Sequence, residues 1–263
     1  MDLGLRDKIA IVCAASKGLG KASAMALAEE GCKVVICARH QDALDQTASS
    51  IRAATGSEVL PIICDLTQTV DIERLVSTTV HEFGTIHILV TNTGHPKMGP
   101  FTNLNETDWH TGFEGILLPV IRLCHLIVPL MQKQQWGRII NITSVAVKEP
   151  GTPFLLSSVF RTAVAALSKS LANELGVDNI LVNTVCPGPF RTPLGEELLR
   201  QRAELNCTTL EEAAKVVDAH IPIGRHGAAE ELGASIAFIA SERASDITGT
   251  LLSVDGGMVR SLQ

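Results

Sequence analysis

Residues 8–39 read KIAIVCAASKGLGKASAMALAEEGCKVVICAR. An apolar run (Lys8 to Ala14), a glycine-bearing turn, an amphipathic stretch (Gly18 to Glu30) and a second apolar run (Lys33 to Ala38) follow one another without a linker. Runs that are apolar throughout, rather than alternating with polar residues, are strands buried on both faces, which requires a parallel sheet covered by helices. The turn Ser16-Lys17-Gly18-Leu19-Gly20 leads straight into the helical stretch. Its glycines let backbone approach a phosphate, and the helix start supplies free N–H groups and positive potential.

Outward from this unit the same alternation continues. Helical Asp42 to Ala54, apolar Glu58 to Cys64, helical Val70 to Phe83 and apolar Ile86 to Thr91 are followed by a long helical stretch from about Glu106 to Gln134. Arg138 to Thr143, a helix from about Phe154 to Leu175, and Ile180 to Cys186 come next, and Leu251 to Val254 is the last strand. The least sheet-like stretch, about 190–225, carries helical segments near Glu196 to Glu204 and Leu210 to His220. An insertion there, at the carboxyl edge of the sheet, reads as a substrate lid. No linker or repeat divides residues 1–263. The expected fold is therefore α/β: a single-domain, Rossmann-like, doubly wound sheet of about seven parallel strands with helices on both faces.

Composition excludes several function classes. The formal net charge is −6 and the basic residues are scattered, so no nucleic acid partner is expected. MDLGLRDK has no signal-peptide pattern, and the most apolar stretch, Gly115 to Met131, is interrupted by Arg122 and His125, so no membrane span is expected. The 7 cysteines form no CxxC and the 8 histidines no HExxH, which points to reduced thiols, a cytoplasmic location and no metal. The chain contains no tyrosine, which removes any mechanism with a phenol as acid.

At Cys37-Ala38-Arg39, where a fold preferring NAD carries an acidic side chain for the adenosine ribose, the carboxylate is missing and a guanidinium follows. Arg39 by bidentate pairing and Lys17 as a point charge suit a ribose 2′-phosphate, so the expected cofactor is NADP.

Over nearly its full length the sequence resembles the classical short-chain dehydrogenase/reductase family. Cys13 to Gly20 stands where that family has TGxxxGxG; Asp65-Leu66 matches its adenine-contacting segment; Asn92-Thr93-Gly94 resembles its NAG element. Asn141-Ile142-Thr143-Ser144 resembles the strand bearing the catalytic Ser, Pro187-Gly188 with Thr192 its nicotinamide-amide element, and Ile247-Thr248-Gly249 with Val254-Asp255-Gly256-Gly257 its last strand. The resemblance implies that Ser16, Lys17, Gly18, Leu19, Gly20, Arg39, Asp65, Leu66, Asn92, Gly94, Arg161, Pro187, Gly188 and Thr192 bind the cofactor. It also implies a homotetramer or homodimer built on the helices Glu106 to Gln134 and Phe154 to Leu175.

The family's Asn–Ser–Tyr–Lys set carries over only at Ser144. Ser157 falls at the Tyr position, Arg161 at the Lys position and Ile116 at the Asn position. An aliphatic hydroxyl and a guanidinium make a poor acid pair, although both still donate hydrogen bonds. His95, directly after the fourth strand, is the leading replacement proton donor, and Lys148 the second. The expected function is NADP(H)-dependent oxidoreduction of a small-molecule carbonyl or alcohol. The alternatives are a non-redox, lyase-type reaction on the same scaffold, in which Arg161 and Ser157 form an anion site, and a catalytically silent NADP-binding protein.

Overall fold

The computed structural model describes residues 1–261. Strands β1 (Ile9–Val12), β2 (Lys33–Ala38), β3 (Val59–Ile63), β4 (Ile88–Thr91), β5 (Gly137–Ile142) and β6 (Ile180–Pro187) carry the apolar runs. With β9 (Leu251–Val254) they form a seven-stranded sheet in the order β3-β2-β1-β4-β5-β6-β9. Every pairing in it is parallel. The order reverses between β1 and β4, and the crevice beyond their carboxyl ends is where such sheets bind ligands.

Helices α1 (Gly18–Glu29), α2 (Gln41–Thr55) and α9 (Ala229–Ala240) cover one face, with Leu27, Leu44, Ile51, Leu232 and Ile236 in its core. Helices α3 (Thr69–Phe83), α5 (Leu118–Gln134) and α6 (Leu155–Leu175) cover the other, with Ile72, Leu75, Leu123, Ile127 and Val164 buried there. The doubly wound single sheet is the one the apolar runs require.

Two features differ from the sequence reading. The stretch from Glu106 to Gln134 is helical throughout, but between α4 (Glu106–Gly112) and α5 it carries a π turn over Phe113–Leu117 that the periodicity does not show. At the junction a Cβ on Gly112 would lie 2.7 Å from the Phe160 ring of α6, so the glycine admits that ring. The second is α9, which the periodicity reading passes over between the lid and the last strand. Its sequence AEELGASIAFIA is apolar almost all round and lacks the polar stripe that marks a surface helix. Its inner face packs closely on α1, where a Cβ on Gly233 would lie 2.6 Å from the Ala22 carbonyl oxygen, while Glu231, Ala234 and Phe238 are exposed on the outer face.

The insertion has defined ends. Strands β7 (Phe190–Arg191) and β8 (Gly227–Ala228) pair with each other, and between them stand α7 (Pro193–Leu205) and α8 (Leu210–Asp218). Helix α8 is closed at its start by a capping box of Thr209 and Glu212. A 2.6 Å contact between His226 Nδ1 and Asp218 Oδ1 ties its end back to β8.

Candidate active site

The glycine-rich turn is held from three sides. Cys13 N–H donates to Val90 O of β4, Ala15 N–H to Cys37 O of β2, and Thr47 Oγ1 of α2 to Ser16 O at 2.8 Å. Gly18 has φ +57°, and a Cβ on Gly20 would lie 2.4 Å from Ala14 O, so the turn closes only with hydrogen at that position. Ala14 itself sits at φ +49°, a left-handed conformation that its methyl disfavours. Helix α1 has no side-chain cap and no acidic residue in its first turn. The amides of Gly18, Leu19 and Gly20 therefore face the crevice with no side chain competing for them, the arrangement that takes a pyrophosphate. Lys17 and Arg39 are exposed beside it, and among the described residues neither has an ion-pair partner within 4 Å. Thr47 is a site residue that the sequence reading missed; its signal was a hydroxyl on the otherwise apolar buried face of α2, among Leu44, Ala48 and Ile51.

Asp65 and Leu66 follow β3. The Asp65 carboxylate accepts from Thr67 N–H and Thr67 Oγ1 through Oδ1, leaving Oδ2 free, while Asp65 N–H donates to Asp71. Asn92 and Gly94 follow β4, and between them Thr93 Oγ1 is buried without a hydrogen-bond partner among the described residues. Pro187 ends β6, and Gly188 is required next, since a Cβ there would meet Asp255 Cα at 2.8 Å. Thr192 caps α7 by accepting from Gly195 N–H at 3.1 Å, and its side chain lies 3.5 Å from the position of a Gly18 Cβ. The insertion therefore starts against the glycine-rich turn.

Of the residues expected at the catalytic positions, Ser157 and Arg161 come together, and Ser144 hydrogen-bonds to neither among the described residues. Arg161, only 7% exposed, donates from Nε to Ser157 Oγ at 3.1 Å, from Nη1 to Ile142 O at 3.3 Å and from Nη2 to Gly94 O at 3.1 Å. It thus bridges α6 to the ends of β4 and β5. Burial lowers its pKa to about 10, so it stays charged at neutral pH, and no carboxylate pairs with it among the described residues. Ser157 is 3% exposed, and with Nε donating to its oxygen the Ser157 proton is left for another acceptor. Ser144 Oγ accepts from Ala146 N–H at 3.1 Å, capping the short 3₁₀ turn Val145–Val147 that leads to Lys148. Ile116 lies in the π turn, 2% exposed and packed into the apolar core, so it offers no polar group to a water relay.

His95 is half-buried with its ring edge-on to Phe154, centroids 5.8 Å apart. Its Nδ1 lies 2.8 Å from Pro96 O. A carbonyl only accepts, so Nδ1 carries the proton and the neutral ring presents a lone pair at Nε2. Burial chiefly, and the Arg161 charge in addition, push its pKa below the ordinary 6.5, against the Pro96 hydrogen bond. An acid matched to neutral pH would shift the other way; at pH 7 His95 is a base. Among the described residues no group of acidic, His and Cys side chains could hold a metal ion. All seven cysteines are free, and only Cys207 is exposed.

The chain matches the enoyl-(acyl carrier protein) reductase family over residues 13–259. It is 32% identical to the uncharacterized oxidoreductase YvrD of Bacillus subtilis over the whole of both chains. It is 31% identical to the 3-oxoacyl-[acyl-carrier-protein] reductase FabG of Thermotoga maritima, covering 97% of this chain and 99% of that one. Its structure superposes on L-sorbose reductase from Gluconobacter frateurii, complexed with NADPH and L-sorbose, with a TM-score of 0.95 at 31% identity over 100% of both chains.

Proposed function

The chain belongs to the short-chain dehydrogenase/reductase family, and from that premise we propose that it is an NADPH-dependent reductase of a small carbonyl compound. The observation that carries this reading is the uncapped start of α1 beside the unpaired cations Lys17 and Arg39, with no carboxylate at the end of β2. The tight Gly20 turn and the free Thr93 hydroxyl fit the same cofactor. NADPH, when bound, supplies the hydride.

The chain's own residues orient the carbonyl and deal with the proton. Ser144 and Ser157 each have a hydroxyl proton to donate to the carbonyl oxygen, and the Arg161 Nε donation polarises the Ser157 O–H. Ser157 cannot give its proton up, because the guanidinium behind it does not release one at neutral pH. His95 moves the proton through Nε2, as an acid only when the ring is protonated; Lys148 is the second candidate. We also assign the exposed apolar surface of α5 and α6 to contact with a second copy. The Glu106–Gln134 segment has the length and hydropathy of a membrane span, yet only 33% of its most apolar window is buried within one chain, and Val159 on α6 is 43% exposed. A second subunit covers such a face without a bilayer. The unbridged, mostly buried thiols suit the cytoplasm.

The test incubates the protein with NADPH or NADH and a panel of carbonyl compounds, following cofactor absorbance and product mass together. Stoichiometric alcohol and NADP⁺ are expected. Carbonyl turnover with the cofactor unchanged would instead mean bond cleavage of the lyase type, and tight cofactor binding without turnover a silent binding protein.

A further inference from the structure

Charge at the reaction centre is unbalanced. Arg161 is buried behind Ser157 with three neutral partners and no acid. Lys148 follows the 3₁₀ turn after Ser144; it is half-buried, has no ion pair within 4 Å among the described residues, and its charge reaches the Cys186 thiol at the end of β6. Two acids lie near Lys148, Glu149 next to it in the chain and Asp255 acting with it on the Cys186 thiol, and both are occupied by backbone. Glu149 Oε1 accepts from Arg260 N–H at 2.6 Å and Ser261 N–H at 3.3 Å. Asp255 accepts from Gly257 N–H at 3.0 Å through Oδ1 and from Val259 N–H at 2.8 Å through Oδ2. The other nearby lysine, Lys97, is taken by Asp108 at 2.8 Å. A half-buried ammonium and a buried guanidinium without a counter-ion are costly unless something else supplies the negative charge.

Resting on the reductase reading, we propose that the substrate supplies it: a short oxo acid, whose carbonyl meets Ser144 and Ser157 while its carboxylate pairs with Lys148. Arg161 contributes through its field, since its fork is already engaged. Lys148 is then a specificity-determining residue, and the anchoring of Glu149 to the chain's C-terminal segment keeps the ammonium free for the ligand. The reaction is an ordinary carbonyl reduction: hydride adds to the carbonyl carbon, a proton reaches the oxygen, and a hydroxy acid and NADP⁺ leave.

The experiment compares acetoacetate and 2-oxobutanoate with their methyl esters as substrates of the full chain with NADPH, and measures malonate binding to the NADPH complex by calorimetry. The acids are expected to exceed the esters at least 10-fold in kcat/KM, with the ratio shrinking as salt is added. In Lys148→Met the ratio should collapse and malonate binding weaken at least 10-fold, whereas Lys133→Met, far along α5, keeps both. Esters reduced as well as acids, with malonate unbound, would overturn the oxo-acid assignment and leave the reductase reading intact. Malonate binding that depends on Lys148, with no NADPH oxidised by any carbonyl, would uphold the anion site and remove the reductase reading. Malonate binding unchanged in Lys148→Met would also overturn the proposal.

Discussion

Arg161 Nε donates to Ser157 Oγ at 3.1 Å across one turn of α6, while the same guanidinium reaches the carbonyls of Ile142 and Gly94. One side chain thus ties the helix to two strand ends and polarises the Ser157 hydroxyl. A lysine there has three donors on one nitrogen and lacks the planar fork that spans these separated acceptors.

With Ser157 and Arg161 as the proposed pair, the unmodified protein is expected to reduce simple neutral ketones slowly. Ser157→Tyr combined with Arg161→Lys should raise that rate more than either change alone, because the acid and the cation that tunes it act as a unit. Adding Ile116→Asn places an amide in an apolar core site and should lower stability by about 1–3 kcal/mol. Steady-state kinetics with a simple ketone and denaturant titration check the two parts; neutral-ketone rates in the parent protein that match the triple variant would contradict the reading.

Cofactor choice rests on Arg39 and Lys17. Arg39→Ala should weaken NADPH by about 1.5–3 kcal/mol, the loss of a charge-assisted pair, and change NADH little. Calorimetric titration of both cofactors decides it, and equal affinities in the parent protein would show that the 2′-phosphate is not read.

Ala14 holds a left-handed conformation at φ +49°. Replacing it by glycine relieves strain of about 1 kcal/mol, so Ala14→Gly should raise the melting temperature and tighten NADPH binding. Gly20→Ala should do the opposite, since its methyl would lie 2.4 Å from Ala14 O. A melting scan of both variants, with and without NADPH, reads the sign.

The lowered His95 pKa sets a pH signature. As the acid, protonated His95 is needed for carbonyl reduction, so the rate should fall as pH rises through a value below 6.5. Alcohol oxidation, which needs the neutral ring, should rise across the same interval. His95→Gln should lower the rate by about 10²–10⁴ and flatten both profiles, with NADPH affinity nearly unchanged. If, with a neutral ketone as substrate, that loss appears in Lys148→Met instead, with the pH profile intact in His95→Gln, Lys148 carries the proton.

His87 gives a stability signature away from the site. Its Nδ1 accepts from Ile9 N–H at 3.0 Å, which requires that nitrogen unprotonated, and burial with the Lys8 charge holds the pKa down to about 4. Between 6.5 and 4 the unfolded chain binds this proton and the folded one does not. Stability from this group is therefore full above pH 6.5 and is lost as pH falls towards 4, by on the order of 3 kcal/mol. Urea titrations across that range should show the slope, and His87→Gln should reduce it.

The sequence by itself determined the sheet, the glycine-rich turn into α1 and the missing phenol. Apolar runs of strand length, a glycine turn entering a helix and the absence of tyrosine are local facts, and local facts survive in a one-dimensional string. It did not reveal α9, because the exposed face of that helix carries Ala234 and Phe238 and so shows no continuous polar stripe, or the π turn at Phe113–Leu117, which leaves no periodicity of its own. Only the tertiary structure decided that Arg161 spans to Gly94 O, that Pro96 O fixes the His95 tautomer, and that Glu149 turns from its neighbour Lys148 to the amides of Arg260 and Ser261. Each of these depends on which donor and acceptor meet in space, and burial then sets what charge the meeting can hold.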